Sequence, residues 1–207
     1  LPRKSFQGFI AQDKYFLAAF ARAYGLARDK ALAAGDARSV AEFSELIAGV
    51  DEELSLHASY AANWGVNLSV VTPIPECRAY TDFLLRVATE EDVAACAAAM
   101  VPCMRLYSAL GQRLAARQQL CAAAPPDRGT ASDCSAGPYE EWVHTYADPA
   151  IDALASKLEA LLDRAASRAT APARDVLRAR YFQALQYELA FFDAWAPRKS
   201  REVTAER

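Results

Sequence analysis

Val101-Pro102-Cys103-Met104-Arg105-Leu106-Tyr107, continued by Ser108-Ala109-Leu110-Gly111, is the stretch on which the reading of this chain turns. A helical pattern surrounds it over residues 90–120, yet a proline stands in its middle. A proline inside a helix costs about 3 kcal/mol and frees the carbonyl four residues back, here that of Ala98. Cys103 and Tyr107 are spaced i,i+4, which puts a thiol and a phenol on one side of the helix. Such a stretch is either a packing irregularity or a site. A kink at Pro102 would set the thiol apart from normal helix crowding. The flanking residues decide between the two.

Upstream of this helix, Thr89-Glu90-Glu91-Asp92 reads as a capping box that opens it, and Cys103, Leu106, Tyr107, Leu110 and Leu114 share its inner face. Before that, Thr72-Pro73-Ile74-Pro75 starts a helix with inner positions Tyr80, Phe83, Leu84 and Val87, since proline suits a first turn. Downstream, residues 121–138 form a long loop rich in Pro, Gly, Ser and Ala, an insertion on the surface. Cys121 and Cys134 flank it and could pair under oxidation. Tyr139 to Tyr146 reads as a short helix, and Asp148-Pro149 caps the next, which carries Ile151, Leu154, Leu158, Leu161 and Leu162. The last helix covers 172–195. Its stripe is Val176, Leu177, Tyr181, Leu185, Glu188, Phe192 and Trp195, so Glu188 falls among apolar neighbours, where a carboxylate is costly unless paired or protonated.

At the other end, Phe9, Ile10, Phe16, Leu17, Phe20 and Tyr24 recur at helical spacing over residues 5–34, up to Gly35. Asp13 falls on that line. It is either an aspartate at the edge of the stripe or a buried carboxylate aimed at a polar group. Ser39-Val40-Ala41-Glu42 matches a capping box opening a second helix, with Phe43, Leu46, Ile47, Val50, Leu54 and His57 as its stripe and Trp64-Gly65 as its end. His57 reads as a satisfied core or partner-facing histidine, with nothing nearby to complete a metal set. No segment reads as a strand of convincing length, so the fold class is all-α, a helical bundle. Residues 1–196 form the helical domain and 197–207 a charged tail or linker.

The 207 residues are 53% apolar and 24% charged, with a formal net charge of −3. No basic stripe with interleaved aromatics points to nucleic acid. No uninterrupted apolar run approaches a membrane span of about 18 residues. The five cysteines are odd in number and lack a CxxC pair, which argues against a disulfide framework or structural zinc and for a reducing, cytoplasmic setting. With two histidines and a single Glu-x-x-His, Glu141 to His144, a di-iron carboxylate centre, which needs one on each of two helices, is not expected. The chain begins without Met and close to a helix already in progress, which leaves room for an upstream segment.

Asp13, Tyr80, the Cys103/Tyr107 pair and Glu188 are polar groups on otherwise apolar faces of four helices. Each alone has a packing explanation. Together they can converge on one pocket, where two carboxylates and a thiol would supply an acid/base pair and a nucleophile.

Five motifs in order resemble the TenA family, also called thiaminase II or aminopyrimidine aminohydrolase. They are Gln12-Asp13-Lys14-Tyr15-Phe16-Leu17, Ala79-Tyr80-Thr81, Pro102-Cys103 through Leu106-Tyr107 to Gly111, Tyr139-Glu140-Glu141-Trp142 through Tyr146, and Tyr187-Glu188-Leu189-Ala190-Phe191-Phe192. The match looks closest to the TenA-like module that plants and algae join to a phosphatase domain. The resemblance implies a heme-oxygenase-like helical bundle, a homotetramer, with no heme, metal or other cofactor. It implies hydrolysis of 4-amino-5-aminomethyl-2-methylpyrimidine to the 5-hydroxymethyl pyrimidine and ammonia. Cys103 would be the nucleophile, Asp13 would bind the aminopyrimidine edge and help activate the thiol, and Glu188 would be the acid/base near the leaving group. Tyr80, Tyr107 and Tyr146 would line the site, with Phe16 as an aromatic wall. That chemistry asks for a softened thiol and a proton-donating carboxyl group.

The chain departs from the family pattern in three places. Few residues precede the Gln12-Asp13 motif, where relatives have a further helix. The 121–138 loop is longer than in many relatives, and Trp195 lies two positions beyond the usual tryptophan. The alternative to the hydrolase is a non-catalytic TenA-like module that binds a pyrimidine or serves oligomerisation beside a thiamin phosphate phosphatase. A heme-oxygenase-like oxidase is disfavoured, because no histidine precedes His57.

Overall fold

The computed structural model describes residues 2–123 and 137–196. Among them are seven α-helices in chain order: α1 Arg3–Ala33, α2 Ala37–Trp64, α3 Pro75–Glu90, α4 Val93–Ala123, α5 Glu140–Ala147, α6 Pro149–Arg168 and α7 Ala171–Asp193. Short 3-10 turns, Leu68–Val70 and Gly137–Tyr139, complete the regular structure. The all-α expectation holds. Cys134, with its suggested pairing to Cys121, and the 197–207 tail lie outside the described residues. Cys121 itself belongs to α4, which continues to Ala123 rather than ending before a loop at 121.

The quoted stretch sits on the central helix. Every residue from Ala95 to Val101 is buried, and α4 packs against α5, α6 and α7, with α1 and α3 also touching it. The run of alanines explains this. Small side chains let neighbours approach on all sides, and a helix apolar all round belongs inside. The 93–121 segment is also long and apolar enough to cross a membrane, with mean hydropathy 1.5, so the sequence reading underrated it. Most of that apolar stretch, 61%, is buried within the bundle. α4 is one helix through Pro102. Its inner face is Cys96, Met100, Cys103 and Tyr107, while Leu114, expected inside, is 39% exposed.

Two caps differ from expectation. The α2 N-cap is Asp36, whose Oδ1 accepts from the Ser39 backbone N–H at 3.1 Å while the Ser39 hydroxyl donates to Oδ2 at 2.7 Å. At α4, Asp92 accepts from Ala95 N–H at 2.8 Å, and Thr89 bonds back to the Leu85 carbonyl inside α3. In both places an aspartate takes the cap and the hydroxyl residue sits in a helix. An anionic oxygen both satisfies the free N–H groups and complements the helix dipole. The α2 C-cap is Gly65 with φ of 68°, a left-handed conformation that glycine adopts without strain.

Two contacts set the geometry of the interior. The buried Gln12 side chain donates to the Thr72 carbonyl at 3.0 Å and accepts from Ile74 N–H at 2.8 Å, pinning the entry to α3 against α1. Gly111 on α4 lies so close to the Tyr146 backbone that a Cβ would collide with it. The missing side chain therefore lets α5 settle onto α4 and brings Tyr146 beside Tyr107, with ring centroids 5.1 Å apart.

Candidate active site

The seven residues singled out from the sequence are all buried: Asp13 and Phe16 on α1, Tyr80 on α3, Cys103 and Tyr107 on α4, Tyr146 on α5 and Glu188 on α7. They meet in two connected groups. Around Glu188, the Tyr80 hydroxyl donates to Oε1 at 2.9 Å, and the Cys103 thiol is coupled electrostatically to the same carboxyl. Around Asp13 lie Tyr146 and two residues that the sequence reading did not place here, Glu53 and His57. A cavity joins the groups. Asp13, Phe16, Glu53, Cys103, Tyr107 and Tyr146 line it, while Tyr80 and Glu188 reach it through Cys103. Its volume is about 20 Å³, room for about one water molecule. A pyrimidine can enter only if these walls part.

Phe16 lines the cavity, its ring tilted against that of Tyr80 at 4.9 Å. On the far side, Tyr107 and Tyr146 both pack on Trp142. Tyr187 stacks on Tyr80 at 5.4 Å and 13°, fixing the ring whose hydroxyl serves Glu188.

The Asp13 group is a network of acceptors with few donors. The Tyr146 hydroxyl donates to Glu53 Oε1. His57 Nε2 lies 3.5 Å from the Tyr146 hydroxyl, 3.2 Å from Asp13 Oδ2 and 3.9 Å from Glu53 Oε1. Asp13 Oδ2 is out of line for a hydrogen bond from that ring and is left without a partner, as is His57 Nδ1. One ligand-type atom from each of Asp13, Glu53 and His57 lies within 4.8 Å of the others. These are donor atoms that could surround one cation. The expectation that nothing near His57 could complete a metal set is thereby corrected. The signal was present in the sequence: Glu53 is three residues after Val50 and four before His57, on the buried stripe. It was masked by the Asp51-Glu52-Glu53 run, which resembles a solvated face.

Burial dominates the electrostatics. It pushes Glu188 up to about 7, against the hydrogen bond from Tyr80 and the nearby Cys103 thiol, and Glu53 up to about 7, against the hydrogen bond from Tyr146. Asp13 is held well above the usual carboxylate range by burial and then by the Glu53 and Glu188 carboxyls. Burial pushes His57 down to about 4, which leaves it neutral near pH 7. For Cys103, burial comes first and then Glu188, Asp13 and Glu53, and all raise the thiol. The softened thiol expected from the sequence is thus not found. Among low-dielectric walls and carboxyls with no neighbouring cation, a thiolate is disfavoured until a base takes its proton. Glu188, coupled to the thiol and pushed up to about 7 by burial, is a candidate base.

The chain matches the model of the TENA/THI-4/PQQC family over residues 1–197. It is 31% identical to the mitochondrial bifunctional TH2 protein of Arabidopsis thaliana over 92% of its length, and spans 31% of that protein. It is 31% identical over 70% of its length to a fission-yeast protein, the putative hydroxymethylpyrimidine/phosphomethylpyrimidine kinase 2, of which it spans 24%. It is 27% identical to the aminopyrimidine aminohydrolase of Halalkalibacterium halodurans over 93% of this chain and 81% of that one. Among solved structures, a TenA family transcription regulator from Silicibacter sp. TM1040 has the same fold. Its TM-score is 0.78 at 23% identity, with 95% of this chain and 84% of that one covered.

Proposed function

This chain belongs to the TENA/THI-4/PQQC family, and from that premise we propose that it salvages the thiamin pyrimidine by hydrolysing 4-amino-5-aminomethyl-2-methylpyrimidine to the 5-hydroxymethyl pyrimidine and ammonia. The name of the Halalkalibacterium relative supports the reaction. The observation that carries it is the buried Cys103, coupled to the Glu188 carboxyl, at the cavity that Asp13 also lines.

Glu188 takes the thiol proton as the Cys103 sulfur bonds to ring C6. The C5–C6 π pair shifts to the exocyclic C5–CH2 bond. The amine leaves with the C–N pair, protonated by Glu188, as ammonia. Water then adds to the methylene carbon, its proton passes through Glu188 to the sulfur, and the S–C6 bond breaks as aromaticity returns. A raised thiol suits this order. Sulfur stays protonated until the ring is in place, so the nucleophile forms only with a target beside it. Phe16, Tyr80 and Tyr107 supply flat walls for the ring.

Two finer readings accompany the reaction. The protein acts in a reducing, cytoplasmic setting, supported by the free thiols of Cys77, Cys96, Cys103 and Cys121. It works as a homo-oligomer, a tetramer, for which the exposed Phe182 and Leu189 of α7 offer apolar surface. The test of the function is to incubate the protein with the aminomethyl pyrimidine and follow ammonia and the hydroxymethyl product. Formation of both in equal amounts is expected. Binding of the pyrimidine with no turnover would replace this reading with that of a non-catalytic binding module.

A further inference from the structure

Glu53 has no part in the thiol chemistry, yet it lines the same cavity, its side chain 12% exposed. Beside it Asp13 Oδ2 is buried and accepts no hydrogen bond, with His57 Nε2 3.2 Å away. Acceptor atoms of the two carboxyls lie no more than 4.8 Å apart. An aromatic amino group that donates each of its hydrogens to a separate oxygen, at about 2.9 Å, holds those oxygens about 5 Å apart. A separation near that limit fits one exocyclic amino group bridging Asp13 and Glu53. The other titratable groups facing the pair are Tyr24 on α1, His57 and Tyr60 on α2, Cys77 on α3, Cys103 and Tyr107 on α4, Tyr146 on α5 and Glu188 on α7. Among the described residues, none of these brings a cation, and no lysine or arginine lines the cavity.

We propose that Glu53, together with Asp13, holds the 4-aminopyrimidine edge as its ring-protonated amidinium cation, and that this ring charge draws the Cys103 sulfur onto C6. The inference rests on the reaction proposed above and adds a residue and a charge state to it. The proton balance is internal. A neutral aminopyrimidine enters, the Asp13 carboxyl gives its proton to the ring nitrogen beside the amino group, and the resulting Asp13 carboxylate accepts one amino hydrogen and the new ring N–H. Glu53 accepts the second amino hydrogen. The ring stays protonated through amine loss and water addition, and Asp13 recovers the proton when the product leaves. Glu53 acts on the ring's charge and orientation, while bond making stays with Cys103 and Glu188.

The probe is the product, 4-amino-5-hydroxymethyl-2-methylpyrimidine, titrated at pH 8 into the Cys103→Ser protein and followed by ultraviolet difference absorption, which separates the neutral ring from its cation. The cation spectrum is expected for the bound pyrimidine. Adding Glu53→Gln should weaken binding about tenfold and give the neutral-ring spectrum, whereas Glu53→Asp should keep the cation. A neutral-ring spectrum in the Cys103→Ser protein overturns the proposal, as does a cation spectrum unchanged by Glu53→Gln. So does displacement of the pyrimidine by one equivalent of Zn2+, which would make the Asp13–Glu53–His57 group a metal site. In all these outcomes the pyrimidine binds, so the proposed function survives. Failure of the folded protein to bind the pyrimidine at all would overturn both.

Discussion

The Tyr80 hydroxyl donates a 2.9 Å hydrogen bond to Glu188 Oε1, tying α3 to α7 beside the Cys103 thiol. This bond holds down a carboxyl that burial pushes up to about 7, and it orients that carboxyl. Activity should therefore rise with pH through about 7 as Glu188 ionises and becomes able to take the thiol proton. Tyr80→Phe removes the donor, so the rise in kcat/KM should move to higher pH, with a loss of about tenfold at neutral pH. A pH–rate profile of the two proteins checks this.

Glu188 also makes stability depend on pH. Its folded value, about 7, stands above the ordinary 4.5, so the folded protein holds a proton there that the unfolded chain gives up. That contribution is present in full below about pH 4.5 and is lost as pH rises through 7. Glu188→Gln should then raise Tm relative to the parent at pH 8 and change it little at pH 5. His57, pushed down from 6.5 to about 4, has the opposite sign. Its neutral burial favours the fold above pH 6.5 and is lost as pH falls through 4. Thermal melts of parent and Glu188→Gln at the two pH values separate these terms.

Gly111 carries the approach of α4 to α5. In Gly111→Ala the new methyl meets the Tyr146 backbone, which cannot swing away as a side chain would. The expected cost is about 1–3 kcal/mol in a denaturant titration. Because Tyr146 holds Glu53 and faces Asp13, pyrimidine binding should weaken in the same variant.

Gln12 offers a contrast, since its contacts are structural. Gln12→Ala leaves the Thr72 carbonyl and Ile74 N–H without their partner. A destabilisation of about 1–3 kcal/mol is expected, read from the denaturation midpoint. The pH profile of the remaining activity should match the parent's, because Gln12 touches neither Glu188 nor Cys103.

The sequence read well where one physical cause dominated. Phe9, Ile10, Phe16 and Phe20 mark the buried face of α1 by period alone, and Asp13 and Glu188 declared themselves as charges on apolar stripes. It misled where two signals competed. Ser39 and Thr89 look like caps, but Asp36 and Asp92 are stronger ones nearby. Glu53 was hidden because a glutamate within an acidic run looks solvated, and only packing against α1 and α5 reveals otherwise. The state of Cys103 was beyond sequence reading for a related reason. The Pro102-Cys103 motif names the residue, while the raised thiol comes from burial and then from carboxyls on α7, α1 and α2.

The central claim is that Cys103 attacks the pyrimidine with Glu188 as its proton partner. The most direct measurement is the rate of ammonia release from 4-amino-5-aminomethyl-2-methylpyrimidine by the parent and by Cys103→Ser under saturating substrate. Loss of the nucleophile should lower the rate by about a thousandfold while pyrimidine binding persists. Ammonia release undiminished in Cys103→Ser would contradict the account.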